Sequence, residues 1–294
     1  MSRRVIQPEH TDVWRHLATE EYLLETLPPA TSVLYLWRSA PCVVLGKHQN
    51  PWLECRVTDL TATGVVLARR LSGGGAVYHD LGNLNFSFIG WAATYDKQAC
   101  SALVVAALRR IGVDASVGPR HILTTADGRK FSGSAYCYRH QKVLHHGTLL
   151  VDTDLRRLEA CLRPACAGLE CRGIRSIPTA VVNLREVAPG LTVAAVAAAL
   201  AAEFGGAATP AVDASELTEL ATRYRSWDWC FGRTPKFTVR GTVPATRPRV
   251  AFTVEVEHGV VGTIATADTR FATTWTGQRF DDLLAAVPSL RVGG

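Results

Sequence analysis

The run Arg69-Arg70-Leu71-Ser72-Gly73-Gly74-Gly75-Ala76-Val77-Tyr78-His79-Asp80-Leu81-Gly82-Asn83-Leu84-Asn85 sets the tightest limit on what this chain can become. Gly64-Val65-Val66-Leu67-Ala68 precedes it and Phe86-Ser87-Phe88-Ile89 follows it. Both are short and rich in β-branched or aromatic residues, the pattern of strands, so the loop between them is held from both ends in the manner of a hairpin. Three consecutive glycines strip every Cβ from its middle, and backbone N–H groups can then turn toward a ligand and approach it closely, as they do around a phosphate. Arg69 and Arg70 add guanidinium forks suited to phosphate or carboxylate oxygens. Ser72 offers a further donor, and His79, Asp80, Asn83 and Asn85 bring more hydrogen-bonding capacity than a strand connection requires. A flexible hairpin with its arginines in solvent is the plain alternative; the density of polar groups favours a ligand loop. Neither a Walker loop nor the spaced glycines of a dinucleotide fingerprint is present.

At 294 residues the chain suits one large domain with a smaller one appended. Hydrophobic residues at 47% and charged residues at 20% argue against disorder. No apolar run reaches the ~18 residues a membrane span needs, so a soluble protein without a membrane partner is expected. A net charge of +6 suits an anionic ligand or an acidic protein partner. The arginines are scattered and no basic tract interleaves with aromatics, so no nucleic-acid partner is expected. Eight cysteines without a C-x-x-C pair read as reduced thiols, and evenly spaced Cys161, Cys166 and Cys171 have no histidine nearby, so no metal site is expected there. Met1 to Arg4 is basic but short, and Asp12 already caps an amphipathic run from Val13. That leaves no room for a transit peptide; the protein works where it is made, or the chain is a processed form.

Strands are expected over residues 32–37 and 41–46, and a helix enters at Pro51. Lys47 and His48 either face the ligand or sit on a surface loop. Residues 95–111 carry apolar residues at helical spacing with Gly112 closing the run, and residues 113–125 read as a strand pair. Asp127-Gly128-Arg129-Lys130-Phe131-Ser132-Gly133-Ser134-Ala135-Tyr136 then sets a lysine after a glycine turn at the head of a strand, where one ammonium can face a phosphate or acyl oxygen or simply solvent. His145-His146-Gly147-Thr148 enters the next strand; alternation puts His146 and Thr148 on one face and His145 and Gly147 on the other. Arg175 and Ser176 are candidates to cap the cleft. The alanine-rich run 193–204 is a helix, Trp227 to Phe237 a junction, and residues 237–265 alternate as strands turning at His258-Gly259. A last short helix is expected over residues 281–286.

The glycine loop resembles that of the lipoate–protein ligase and lipoyltransferase family, whose motif runs Arg-Arg-x-Ser-Gly-Gly-Gly-Ala-Val and then His-Asp-x-Gly-Asn. Lys130 begins a match to the family's Lys-x-Ser-Gly-Ser-Ala, His145 to Leu150 match its His-His-Gly-Thr-Leu-Leu, and Gln49-Asn50-Pro51-Trp52 and Trp227-x-Trp229 are similar too. The likeness runs from about residue 12 to 237. It implies an α/β fold, a mixed, mainly antiparallel sheet flanked by helices, shared with biotin ligases. A biotin ligase itself is disfavoured, because that branch carries a differently composed loop. It also implies residues 1–232 as a catalytic domain, with residues 233–294 as a small C-terminal α+β accessory domain. The implied chemistry is formation of lipoyl-AMP from ATP and lipoate or octanoate with Mg2+, then transfer to a lysine of acceptor lipoyl domains such as 2-oxoacid dehydrogenase E2 subunits or the glycine cleavage H protein. By the resemblance Lys130 is catalytic, and Arg70, Ser72, Gly73, Gly74, Gly75, Val77, His79, Asp80, Asn83, Ser132, Gly133, Ser134, His146, Gly147 and Thr148 bind substrate or adenylate. A monomer in a mitochondrial matrix or bacterial cytoplasm goes with it. Arg120-His121 stand where family ligases carry an acidic pair, which leaves a transferase working only from lipoyl-AMP or a lipoylated carrier as the alternative. A thioester route through Cys137 is a third possibility.

Overall fold

The computed structural model describes residues 2–177, 179–244 and 248–291; Pro178, at the end of the cleft-capping segment, and the side chain of Arg120 lie outside the described part. A six-stranded sheet forms the centre, in the spatial order Ser134–Arg139, Lys142–Leu150, Asn83–Trp91, Thr31–Trp37, Ser2–Ile6 and Ala207–Ala208. The first four strands pair antiparallel and the last two join in parallel. The sheet is mixed, as expected. Its last two strands do not stand out in the sequence, Ser2–Ile6 because it is half polar and Ala207–Ala208 because it is two residues long.

Each face of the sheet carries its own core. Helices Lys97–Arg110 and Val193–Phe204 cover one, packing on Phe86, Phe88 and Leu149. Helices Val13–Thr26 and Ala214–Arg225 cover the other, over Tyr35, Trp37 and Leu144. Three of these helices agree with the sequence reading, and Ala214–Arg225 was not anticipated: Asp12 and Asp96 accept from the first free N–H groups of their helices, and Gly205, at φ 66°, ends the alanine-rich one.

The glycine loop is not a hairpin. It leaves Val66–Arg69 and enters Val77–His79, and these strands flank Cys42–Leu45 on opposite sides instead of pairing with each other. The loop therefore arches over the end of a three-stranded sheet. Phe86 to Ile89, read as its far support, belongs to the large sheet. A second small sheet, Ala115–Val117, Leu123–Thr125 and Lys130–Ser132, sets Lys130 at the start of its last strand.

The C-terminal strands Phe237–Thr242, Ala251–Glu257 and Val260–Thr266 form a sheet whose edge is Leu169–Cys171, from the N-terminal side of the expected boundary at 232. His258 and Gly259, both at positive φ, make the anticipated two-residue turn. Helix Thr269–Trp275 was not anticipated, and Phe280–Ala286 agrees with the last expected helix. This unit builds its core around Trp52, which is fully buried against Phe237 and Phe280. The carboxylate of Asp281 accepts from the indole N–H groups of Trp52 at 2.7 Å and Trp227 at 3.2 Å. Burial raises the pKa of Asp281, while the two indoles oppose that shift. Asp281→Ala strands a buried N–H on Trp52 and is expected to cost about 1–3 kcal/mol, read by urea unfolding followed on tryptophan fluorescence. Unchanged stability would mean that the two indoles find other partners.

Candidate functional site

Two lobes of one cleft open beside the glycine loop, and Lys130 lines both. The first, of about 630 Å³, is walled by Leu17, Trp37 and Val44 with His79, Asn85 and His146 among them. The second, of about 700 Å³, runs past Leu53, Tyr78, Phe131, Ser132 and Leu150. Val77, Gly133, Thr148 and the segment Arg175-Ser176-Ile177 lie between them and line both.

Lys130 is half-buried and its ammonium makes no hydrogen bond or ion pair among the described residues. Burial lowers its pKa below the ordinary 10.5. Its Nζ lies 3.6 Å from where a Cβ on Gly133 would stand, an ordinary van der Waals separation. Buried hydroxyls of Tyr78 and Ser132, both without partners among the described residues, border the second lobe.

The arginines face inward. Arg69 is fully buried, and its guanidinium donates to the carbonyls of Gly46, Lys47, Gln49 and Cys230 and to the Thr234 hydroxyl. Burial brings its pKa down to about 10, so it keeps its charge at neutral pH. Arg70 borders the first lobe but donates to Ser72 Oγ and to the carbonyls of Val44, Gly73 and Gly75. The pair shapes the loop, where the sequence suggested forks reaching for a ligand. With two of its carbonyls turned to Arg70, the loop has N–H groups at Gly73, Gly74 and Gly75 that donate to nothing among the described residues. Such free donors suit an anion.

The expected residues divide. Arg70, Gly74, Gly75, Val77, His79, Ser134, His146, Gly147, Thr148, Lys130, Gly133 and Ser132 line one lobe or both. Ser72, Gly73, Asp80 and Asn83 line neither. The Asp80 carboxylate accepts from the N–H groups of Gly82 and Asp154, both at 2.9 Å, which holds a turn. Among the described residues Asn83 is buried with both amide atoms unpaired. His79 is also buried, with no partner among them, and burial, then the charge of Arg70, pushes its pKa down to about 3. His146 and Thr148 share the cleft as alternation suggested, and Gly147, expected on the other face, lines it too; a Cβ there would point at Phe86 in the core, 2.4 Å away. Lys47 and His48 are exposed and line neither lobe. Cys137 packs against the core under helix Val13–Thr26, outside both lobes, and burial raises the pKa of its thiol. That position does not suit a nucleophile.

Sequence reasoning missed Leu17, Trp37, Gln49 and Glu54. Gln49 accepts from Gly46 N–H and donates to Ser176 Oγ, which also accepts from Ala76 N–H at 2.8 Å. Ser176 N–H donates to the Glu54 carboxylate, so the capping segment is buttoned onto the loop. Among the described residues no group of three or more His, Cys, Asp or Glu side chains could hold a metal ion, and no helix is long and apolar enough to cross a membrane.

Residues 12–205 match the family model described as lipoyl protein ligase A/B catalytic domain. A lipoate-protein ligase A from Psychrobacter cryohalolentis is 36% identical over 254 residues, 81% of this chain and 75% of that protein. Among solved structures, P. falciparum LipL1 in complex with lipoate is similar at 25% identity, TM-score 0.71, over 92% of this chain and 88% of that one. A bipartite lipoate protein ligase studied with its E2 lipoyl domain from Thermoplasma acidophilum is similar at 25% identity, TM-score 0.66, over 78% of this chain and 96% of that one. A lipoate-protein ligase A bound with ATP is similar at 25% identity, TM-score 0.65, over 78% of this chain and 98% of that one.

The two loop glycines Gly73 and Gly74 and the neighbouring Gly46 are not equivalent. A Cβ on Gly73 meets nothing within 4 Å, Gly74 sits at φ 89°, and a Cβ on Gly46 would lie 2.1 Å from the Gly74 carbonyl oxygen. Gly73→Ala is expected to melt within about 0.5 kcal/mol of the parent, whereas Gly74→Ala costs about 1–2 kcal/mol. Gly46→Ala displaces the loop backbone and weakens ligand binding most. Thermal denaturation beside calorimetric titration with lipoate ranks the three, and a different order would refute this account of the loop.

Proposed function

The chain belongs to the lipoyl protein ligase A/B catalytic-domain family, and from that premise we propose that it is a full lipoate–protein ligase: it joins lipoate or octanoate to AMP using ATP, then passes the acyl group to a lysine of an acceptor lipoyl domain. The observation that carries this reading is the ammonium of Lys130, unpaired among the described residues, at the place where the two lobes meet. A carboxylate is a poor acyl donor because an oxide would have to leave. Attack of the lipoate carboxylate on the α-phosphorus of ATP forms a P–O bond and releases pyrophosphate. The acceptor amine next attacks the acyl carbon; a C–N bond forms, AMP departs with the electrons of the broken C–O bond, and the amine proton goes to solvent.

In this reading the first lobe takes the acyl chain against Leu17, Trp37 and Val44, each buried CH₂ contributing about 0.8 kcal/mol. The second takes the nucleotide, with Ser132, Tyr78 and Thr148 offering hydroxyls. Lys130 spans acyl and phosphate oxygens and stabilises the charge that grows on both. The loop N–H groups at Gly74 and Gly75 face the same oxygens. Mg2+ is commonly held by one or two carboxylates plus substrate phosphates, and Glu54 and Glu159 line the nucleotide lobe, so the donor set fits a metal carried on ATP. E2 lipoyl domains and the glycine cleavage H protein are the proposed acceptors, and residues 233–294 a proposed accessory domain. Transfer alone from preformed lipoyl-AMP is the second reading, favoured by Arg120-His121 in place of an acidic pair.

Incubation with ATP, Mg2+, lipoate and an apo lipoyl domain, beside a parallel reaction with lipoyl-AMP, decides between them. Product in both is expected; product from lipoyl-AMP alone overturns adenylation. Lys130→Met should lower transfer by about 10²–10³-fold. Because the ammonium of Lys130 loses its proton more readily than an ordinary lysine, affinity for lipoyl-AMP is expected to fall as pH rises through a value below 10.5. Titration calorimetry across pH tests this, and a profile unchanged in Lys130→Met would refute the assignment.

A further inference from the structure

Helix Val13–Thr26 carries Glu20 inward, and only 2% of it is exposed. Its carboxylate accepts from His146 Nδ1 at 3.0 Å and from the Ser87 hydroxyl at 2.5 Å, and Trp37 Nε1 lies 3.4 Å from that same hydroxyl. On the other side of the ring, His146 Nε2 is 2.6 Å from Ser72 Oγ, which accepts from Arg70 Nε at 2.9 Å. Glu20 and Arg70 are thus two buried groups, a carboxylate and a guanidinium, linked through an imidazole and a hydroxyl.

The donor and acceptor roles follow from the ends inward. An ionised carboxylate only accepts, so Nδ1 carries the proton. In the neutral ring Nε2 is then an acceptor, and Ser72 gives it the O–H while receiving Arg70. Serine, histidine and carboxylate at these distances have the outline of a hydrolytic triad. Ser72 is nevertheless 1% exposed and lines neither lobe, so no substrate carbonyl reaches it. The arrangement is a strut.

We propose that Glu20 is a positioning residue for acyl transfer: it holds His146 in the Nδ1–H tautomer, so that Ser72 is fixed and with it the Arg70 fork that turns the Gly73 and Gly75 carbonyls away from the cleft. The proposal rests on the ligase reading for its substrate. Nothing in the glycine motif announces this residue, yet the loop geometry reaches back to it through the side chains of Arg70, Ser72 and His146.

The test combines ring-labelled histidine NMR on ligand-free protein with transfer kinetics from lipoyl-AMP to an apo lipoyl domain, for the parent, Glu20→Gln and Glu20→Leu. The parent should hold His146 as the Nδ1–H form. Glu20→Leu should lose that preference and about ten- to a hundredfold in kcat, the usual cost of removing the partner that orients a functional histidine. Glu20→Gln still offers an oxygen to Nδ1–H, so it should keep the tautomer and remain within about threefold of the parent rate. A His146 tautomer unchanged in Glu20→Leu, or a Glu20→Gln enzyme no faster than Glu20→Leu, overturns the proposal. Should Glu20→Leu fail to fold, Glu20→Gln decides alone: retained tautomer and rate support it, and loss of either overturns it. Parent enzyme inert toward lipoyl-AMP would overturn the functional reading instead, with the tautomer measured independently of activity.

Discussion

A wholly buried guanidinium, with no carboxylate beside it among the described residues, is the interaction on which the arrangement of the cleft depends. Arg69 ends a strand of the small sheet, and its donors gather carbonyls from the turn at Gly46 to Gln49 and from Cys230 in the C-terminal junction. Desolvating a cation is costly, and here several oriented carbonyl dipoles offset the loss of water. The Trp229 indole returns a hydrogen bond to the Arg69 carbonyl, and the Arg233 guanidinium lies over that indole. One side chain therefore ties together the root of the glycine loop, the turn that carries Gln49, and the start of the C-terminal unit.

With its root held, the loop needs only local help. Arg70 turns two loop carbonyls inward, Gly46 makes room for the Gly74 carbonyl, and Ser176 fastens the capping segment over Gly75. The N–H groups that remain are the ones a negatively charged ligand needs. Preorganisation of this kind lets donors act without reorganising when charge develops, and it explains why so much buried polar structure surrounds so small a cleft.

Elements with strong local signals were legible. Asp12, Asp96 and Gly205 mark helix ends through backbone groups a few residues away, and alternation sorted His145 from His146. The site was legible where residue type and motif coincide, as at Lys130, Gly74, Gly75 and Thr148. It was not legible where a side chain faces its own protein. Arg70 and Asp80 are ligand-type residues that spend their hydrogen bonds within the protein, Arg70 on backbone carbonyls and Ser72, Asp80 on backbone N–H groups. Glu20 and Glu21 sit side by side in a helix and look like a solvated face, yet both are buried: one is bound to His146, the other to Arg139 and Arg223.

The amino-acid order by itself determined the class of chain, its main helices and strands, and the motif that identifies the loop, because those depend on propensities and spacings within a few residues. Which strands flank the loop, which way each arginine turns, and that a carboxylate from the first helix reaches His146 were decided only by tertiary packing. A buried ion or hydrogen bond between residues more than a hundred positions apart exists only once distant surfaces meet and exclude water, and no local pattern carries that information.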